Sequence, residues 1–67
     1  MIQITINGQA EMVDEGLTVF SLLERRGLAG KRLAVERNGE IVPKAHHGQV
    51  VLCAGDVLEI VVAVGGG

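Results

Sequence analysis

An α+β fold is predicted for this chain: a mixed sheet of four to five strands with one main helix packed on one face. Three observations predict it. Apolar residues alternate with a period of two near both ends, an amphipathic stretch of helical period follows the first two strands, and Asn-Gly occurs twice between extended runs. The 67 residues allow a single core. Hydrophobic residues make up 48% of the chain and only one is aromatic, so that core is built from Ile, Leu and Val. One helix of this length covers one face of one sheet, which gives two layers.

Ile2, Ile4 and Ile6 alternate with Gln3 and Thr5 and mark a half-buried strand. Asn7-Gly8 is a two-residue hairpin turn, since both residues tolerate positive φ, and Gln9 to Val13 forms the returning strand. Asp14-Glu15-Gly16 breaks the pattern. Thr18 is the expected helix N-cap, and Val19, Leu22 and Leu23 form the apolar stripe, with Phe20 at its edge. Arg25 and Arg26 suit the negative end of the helix dipole, and Gly27 is the expected C′ residue. Lys31 to Arg37 reads as a third strand, turned by Asn38-Gly39 into Glu40-Ile41-Val42, which Pro43 ends. Ala45 to Gln49 reads as loop and Val50 to Leu52 as a short plug into the core. After the Gly55-Asp56 turn, Val57 to Val64 is the last strand. As the most apolar strand it is expected at the centre, parallel to the first.

The sequence then closes on Gly65, Gly66 and Gly67. Glycine adds nothing to a core and gives a thin, flexible segment, so residues 1–64 are expected to form the domain and 65–67 a flexible tail. Such a tail can thread a narrow cleft on another protein. A C-terminal carboxylate has a pKa of about 3.3–3.7 and is an anion at neutral pH. It becomes a usable electrophile only after one oxygen is made a leaving group. The chain supplies no phosphate-binding loop for that step, so it is expected to be a substrate or carrier and a partner the catalyst. Face parity in the last strand predicts a docking surface. With Glu59 kept from the core, Leu58, Ile60, Val62 and Val64 point inward. Val57, Val61 and Ala63 then share the open face with Glu59 and Ala34.

Other candidates are weaker. Cys53 reads as a small buried hydrophobe rather than a nucleophile, for no His or Asp near it in sequence marks a base. His46-His47 with one Cys falls short of a four-ligand metal site. Glu36, Arg37 and Glu40 read as a solvated hairpin rim. Net charge −2 without an aromatic platform argues against nucleic-acid binding, and no run is long enough for a membrane span. The single cysteine and the strand that starts at once after Met1 predict a cytoplasmic protein without a signal peptide.

The ordered segments resemble a known family. Asn7-Gly8 after the first strand, Thr18-Val19 with Leu22-Leu23, Val35-Glu36-Arg37-Asn38 with Glu40-Ile41-Val42-Pro43, and Gly55-Asp56-Val57-Leu58-Glu59-Ile60-Val61 leading to Val64-Gly65-Gly66-Gly67 are similar to the ubiquitin-like sulfur carriers, within them the ThiS family of thiamine biosynthesis. The resemblance spans essentially the whole chain and implies a β-grasp fold. It implies that Gly67 is adenylated and converted to a thiocarboxylate, with Gly66 and Gly65 as the motif's neighbouring glycines. It further implies an E1-like adenylyltransferase (ThiF type) that uses ATP, a cysteine desulfurase system as sulfur source, and a thiazole synthase (ThiG type) as acceptor. The carrier itself would bind no cofactor and would not be an enzyme. Three alternatives stay open: the small subunit of molybdopterin synthase, a protein modifier attached through the same glycine, and a non-covalent β-grasp binding module. Iron–sulfur ligation is excluded, because a cluster usually needs four cysteines and the chain has one.

Overall fold

The computed structural model describes residues 1–63; the expected core residue Val64 and the glycines Gly65, Gly66 and Gly67 lie outside them. Five strands and one α-helix follow in the order β1 (Ile2–Ile6), β2 (Gln9–Val13), α1 (Val19–Arg25), β3 (Leu33–Arg37), β4 (Glu40–Ile41) and β5 (Val57–Val62), with a 3₁₀ turn at Lys44–His46 between the last two strands. The spatial order is β2-β1-β5-β3-β4. β5 runs parallel to β1 and antiparallel to β3, so the most apolar strand is central, as its composition predicts. This is the β-grasp arrangement.

Both hairpins turn as their Asn-Gly pairs require. Asn7 and Asn38 have φ of 49° and 51°, and each following glycine lies at more than 80°, the pair of positive φ values that lets a two-residue turn match the strand twist. The helix is capped at both ends. Thr18 Oγ1 accepts from the Ser21 N–H at 3.1 Å. At the other end the Leu28 N–H donates to the Leu23 carbonyl and the Gly27 N–H to the Glu24 carbonyl, a Schellman motif with Gly27 at C′. Leu28 then packs against the core, so this cap also closes the apolar layer. Arg25 and Arg26 reach back to Asp14 and Glu11 at 3.0 and 2.8 Å and tie the helix end to β2.

The core lies between α1 and the inner face of the sheet: Ile4, Ile6, Val13, Leu17, Val19, Leu22, Leu23, Val35, Val42, Leu52, Leu58 and Ile60. Val62 is half-buried against it. Several segments differ from the sequence expectation: β4 ends at Ile41 rather than Val42, β5 ends at Val62 with Ala63 already outside it, and a 3₁₀ turn reaches into the expected loop at Ala45 and His46. The third strand begins at Leu33 rather than Lys31, because Leu33 is the first residue with a strand partner, Val62. Of the supposed plug Val50 to Leu52, only Leu52 is buried. Val51 is exposed and makes an isolated bridge with Thr18, so the segment pins the helix start, and alternation sends one apolar side chain outward. Leu58 has no exposed surface and sits on the strand shared by both halves of the sheet. Leu58→Ala is expected to cost about 2–5 kcal/mol, read as a fall in the denaturant midpoint of unfolding.

Candidate functional site

The outer face of the sheet, away from α1, follows from register. Thr5 lies opposite Val57, Ala34 opposite Val61, and Glu36 opposite both Glu59 and Ile41. Strand alternation therefore places Val57, Glu59 and Val61 on one face with Ala34, Glu36 and Ile41. Met12 joins them from β2 through its pairing with Gln3. Four of the large exposed hydrophobic side chains sit here: Val61 (63% exposed), Ile41 (62%), Met12 (56%) and Val57 (49%). The expected docking residues Glu59, Val61 and Ala34 share this face, and Ala63 continues its alternation just beyond β5; all four are exposed. Ile41 and Met12 extend the face and were not among the sequence candidates. Their strand parity carried the signal, since each falls on the same side as Val61 once register is known. Glu36 and Glu59 stand directly opposed, an unfavourable pairing of like charges, so this apolar face has an acidic centre.

The strand that carries this face is tethered by the two turn asparagines. The Ile60 N–H donates to Asn7 Oδ1 at 2.8 Å, and Asn7 Nδ2 donates to the Ile60 carbonyl. The Asn38 side chain accepts from the Val57 N–H at 2.9 Å, while the Asn38 N–H donates to the Val57 carbonyl at 2.7 Å. Each asparagine thus supplies both a turn conformation and an amide that bonds β5. The Asn-Gly pattern reveals the first use and hides the second. Past β5 the Ala63 N–H donates to the Arg32 carbonyl at 2.9 Å, which holds Ala63 beside the start of β3.

The weaker candidates resolve differently. Cys53 is exposed, not buried. Its position before the Asp56 turn puts its side chain on the surface, with Sγ 3.7 Å from Arg37 Nη2. Arg37 is not a solvated rim residue: its Nε donates to Asp56 Oδ2 at 2.9 Å, and both residues are at least half-buried. Asp56 also accepts from the Cys53 N–H at 2.8 Å and from Asn38 Nδ2 at 3.1 Å. Burial pushes the Asp56 carboxyl upward, but the Cys53 amide, Asn38 and Arg37 outweigh it and hold its pKa below the ordinary carboxylate value. The hydrogen bond to Asp56 in turn raises the Arg37 guanidinium above its usual value. Glu36 and Glu40 belong to the sheet face and the turn, and neither joins this network. His47 is buried with Nε2 3.1 Å from the Val42 carbonyl. A carbonyl only accepts, so Nε2 carries the proton and offers no lone pair to a metal. Among the described residues no three His, Cys, Asp or Glu side chains converge on a metal site, and no helix is long and apolar enough to cross a membrane.

Comparisons with known proteins agree with this architecture. The family model of the ThiS family matches residues 2–67. A protein named sulfur carrier protein ThiS from Bacillus subtilis is 48% identical over 50 residues, covering 75% of this chain and 76% of that protein. A thiazole synthase from Paramagnetospirillum magneticum is 44% identical over 66 residues, covering 98% of this chain. The chain spans about a fifth of the length of that relative and of a second thiazole synthase, from Magnetococcus marinus. The crystal structure of a thiamine biosynthesis protein (ThiS) from Geobacter metallireducens superposes with a TM-score of 0.82 at 32% identity, covering 98% of this chain and all of that one.

The Asp56 network makes a pH prediction. A carboxyl whose folded pKa is depressed stabilises the fold above its unfolded pKa, and that stability is lost as pH falls through the folded value. Melting temperature is therefore expected to drop on acidification below the ordinary carboxylate value of 3.8. Asp56→Asn is expected to flatten that acid limb and to cost about 1–3 kcal/mol at neutral pH, because one of the two accepting oxygens becomes an NH₂ group that faces a donor and Arg37 loses its counter-charge. Thermal melts across the acid range check both.

Proposed function

The chain belongs to the ThiS family, and from that premise we propose that it is a sulfur carrier of thiamine biosynthesis acting through Gly67. In this reading the Gly67 carboxylate attacks the α-phosphorus of ATP held by an E1-like adenylyltransferase. Pyrophosphate leaves and an acyl adenylate forms. The terminal sulfur of a persulfide, supplied by a cysteine desulfurase system, adds to the activated carbonyl and expels AMP, and a thiol reductant then cleaves the S–S bond of the resulting acyl disulfide. The product is a thiocarboxylate, whose sulfur goes to a thiazole synthase. The chain contributes the acyl group and the recognition surface, and its partners contribute the catalytic groups and the nucleotide. Gly65 and Gly66 serve by having no Cβ, so that a narrow cleft admits the end and the carbonyl stays open to attack.

The observation that carries this reading is the family match, which continues through the glycines to residue 67. The B. subtilis sulfur carrier supports the same role. The thiazole synthase partner is supported by the two relatives of that name, each of which holds a stretch similar to nearly all of this chain within a much longer polypeptide. The open sheet face, with Val61 and Ala34 at the middle and Ile41 and Met12 towards its edges, is the surface we assign to the activating enzyme. Its apolar patch lies on the strand that leads to Gly65, so docking there sets the distance from the surface to the reacting carbonyl. The acidic centre at Glu36 and Glu59 suits an apolar partner surface carrying a cation.

Incubation with an E1-like adenylyltransferase, ATP and a sulfur source is expected to add the mass difference between sulfur and oxygen, localised to Gly67 by fragmentation. One residue appended after Gly67 is expected to abolish that gain, and an unchanged yield would remove Gly67 from the chemistry. Val61→Asp places a charge in the open face without touching the core. It is expected to weaken binding to the activating enzyme about tenfold or more with the melting temperature held, as calorimetric titration would show.

A further inference from the structure

The six Lys and Arg side chains divide into two groups. Arg25, Arg26 and Arg37 each pair with a carboxylate, on Asp14, Glu11 and Asp56. Lys31, Arg32 and Lys44 pair with no carboxylate among the described residues, and all three line one cleft of about 400 Å³ on the helix side of the sheet. Phe20, Leu23, Leu28 and Leu33 supply its apolar wall. Phe20 is the chain's only aromatic residue and is 46% exposed. No Asp or Glu lines the cleft, and the chain as a whole carries a net charge of −2. The positive rim therefore runs against the overall charge.

The composition of the cleft selects its occupant. A bare anion would leave the Phe20 and leucine wall in contact with water, and a purely apolar group would draw the three cations out of water without partners. An acidic segment bearing one large apolar side chain satisfies both, with the side chain on the wall and the carboxylates on the rim. The cleft also lies beside the exit of the chain, because Arg32, whose carbonyl accepts from the Ala63 N–H, is itself a rim residue. Gly67 lies four residues beyond Ala63, at most about 14 Å of extended chain, so a protein that receives it works close to this cleft.

We propose that this cleft is a second docking site, on the layer opposite the open sheet face, for an acidic, apolar-tipped segment of the thiazole synthase that takes sulfur from Gly67. The proposal rests on the sulfur-carrier reading. Two partners must engage the same C-terminal glycine in turn. With the sheet face assigned to the activating enzyme, the cleft gives the acceptor a recognition element of its own. The domain is then read on one layer for loading and on the other for unloading.

The test compares binding of the wild-type chain and the Lys31→Glu/Arg32→Glu/Lys44→Glu variant to thiazole synthase and to the adenylyltransferase of the same organism, by calorimetric titration at two salt concentrations. The substituted side chains are exposed, and an amide NMR spectrum verifies the fold. Synthase affinity is expected to fall roughly tenfold or more, as three exposed charge pairs reverse, and its salt dependence to flatten. Affinity for the adenylyltransferase and the sulfur mass gain are expected to hold. The milder Lys31→Gln/Lys44→Gln variant, which removes charge without reversing it, is expected to lie between. Synthase binding unchanged in the folded triple variant overturns the cleft proposal alone, as does an equal loss towards both enzymes. A wild-type chain that never gains sulfur overturns the carrier reading and this proposal with it.

Discussion

Everything in this domain is organised by the central placement of β5. It bonds β1 on one side in parallel and β3 on the other in antiparallel register, so it joins two hairpins that sequence separates by the helix. Its inward residues Leu58 and Ile60 lie in the core beneath α1. Its outward residues Val57, Glu59 and Val61 make the middle of the exposed face. One strand therefore settles both the core and the exposed face. A register slip by one residue would exchange the two faces and put Glu59 in the core. The side-chain amides of Asn7 and Asn38, bonded to Ile60 and Val57, oppose such a slip at two points along the strand.

The division of charge reinforces this organisation. Salt bridges from Arg25 and Arg26 hold the helix to the β2 side. At the start of the central strand, Asp56 gathers Arg37, Asn38 and the Cys53 amide into one knot. Exposed pairs such as Arg25 with Asp14 contribute little, whereas the buried Asp56 carboxyl is satisfied by several donors and is costly to disturb. The remaining three cations collect on the helix side and the Glu36–Glu59 pair on the sheet side. The two layers thereby present surfaces of opposite character, each with an apolar part.

Much of this was legible in the sequence, for identifiable reasons. Period-two alternation placed Ile2, Ile4 and Ile6, and the two Asn-Gly turns fixed both hairpins, because backbone sterics leave those pairs few other uses. Thr18 and Gly27 marked the helix ends through unsatisfied backbone groups that the ends must cap. The parity of Glu59 assigned the faces of β5 correctly. What stayed hidden depends on long-range geometry. Nothing local to the turn shows that Arg37 meets Asp56, nineteen residues on, so the turn read as a uniform rim. Cys53 looked like a core residue by type, yet it is exposed, with its amide donating to Asp56 and its Sγ 3.7 Å from Arg37 Nη2. Lys31, Arg32 and Lys44 come together only because the Schellman turn and the 3₁₀ turn fold towards each other.

The parallel pairing of β1 with β5 also has a mechanical consequence. The two strands lie side by side, and the Ala63 N–H bond to the Arg32 carbonyl extends the contacts of β5 beyond its last paired residue. A pull on β5 along its own axis therefore loads the ladder's hydrogen bonds together in shear, rather than peeling them off singly. Tension on the C-terminal side of this strand works against all of those bonds at once, so the domain resists being unravelled from that side.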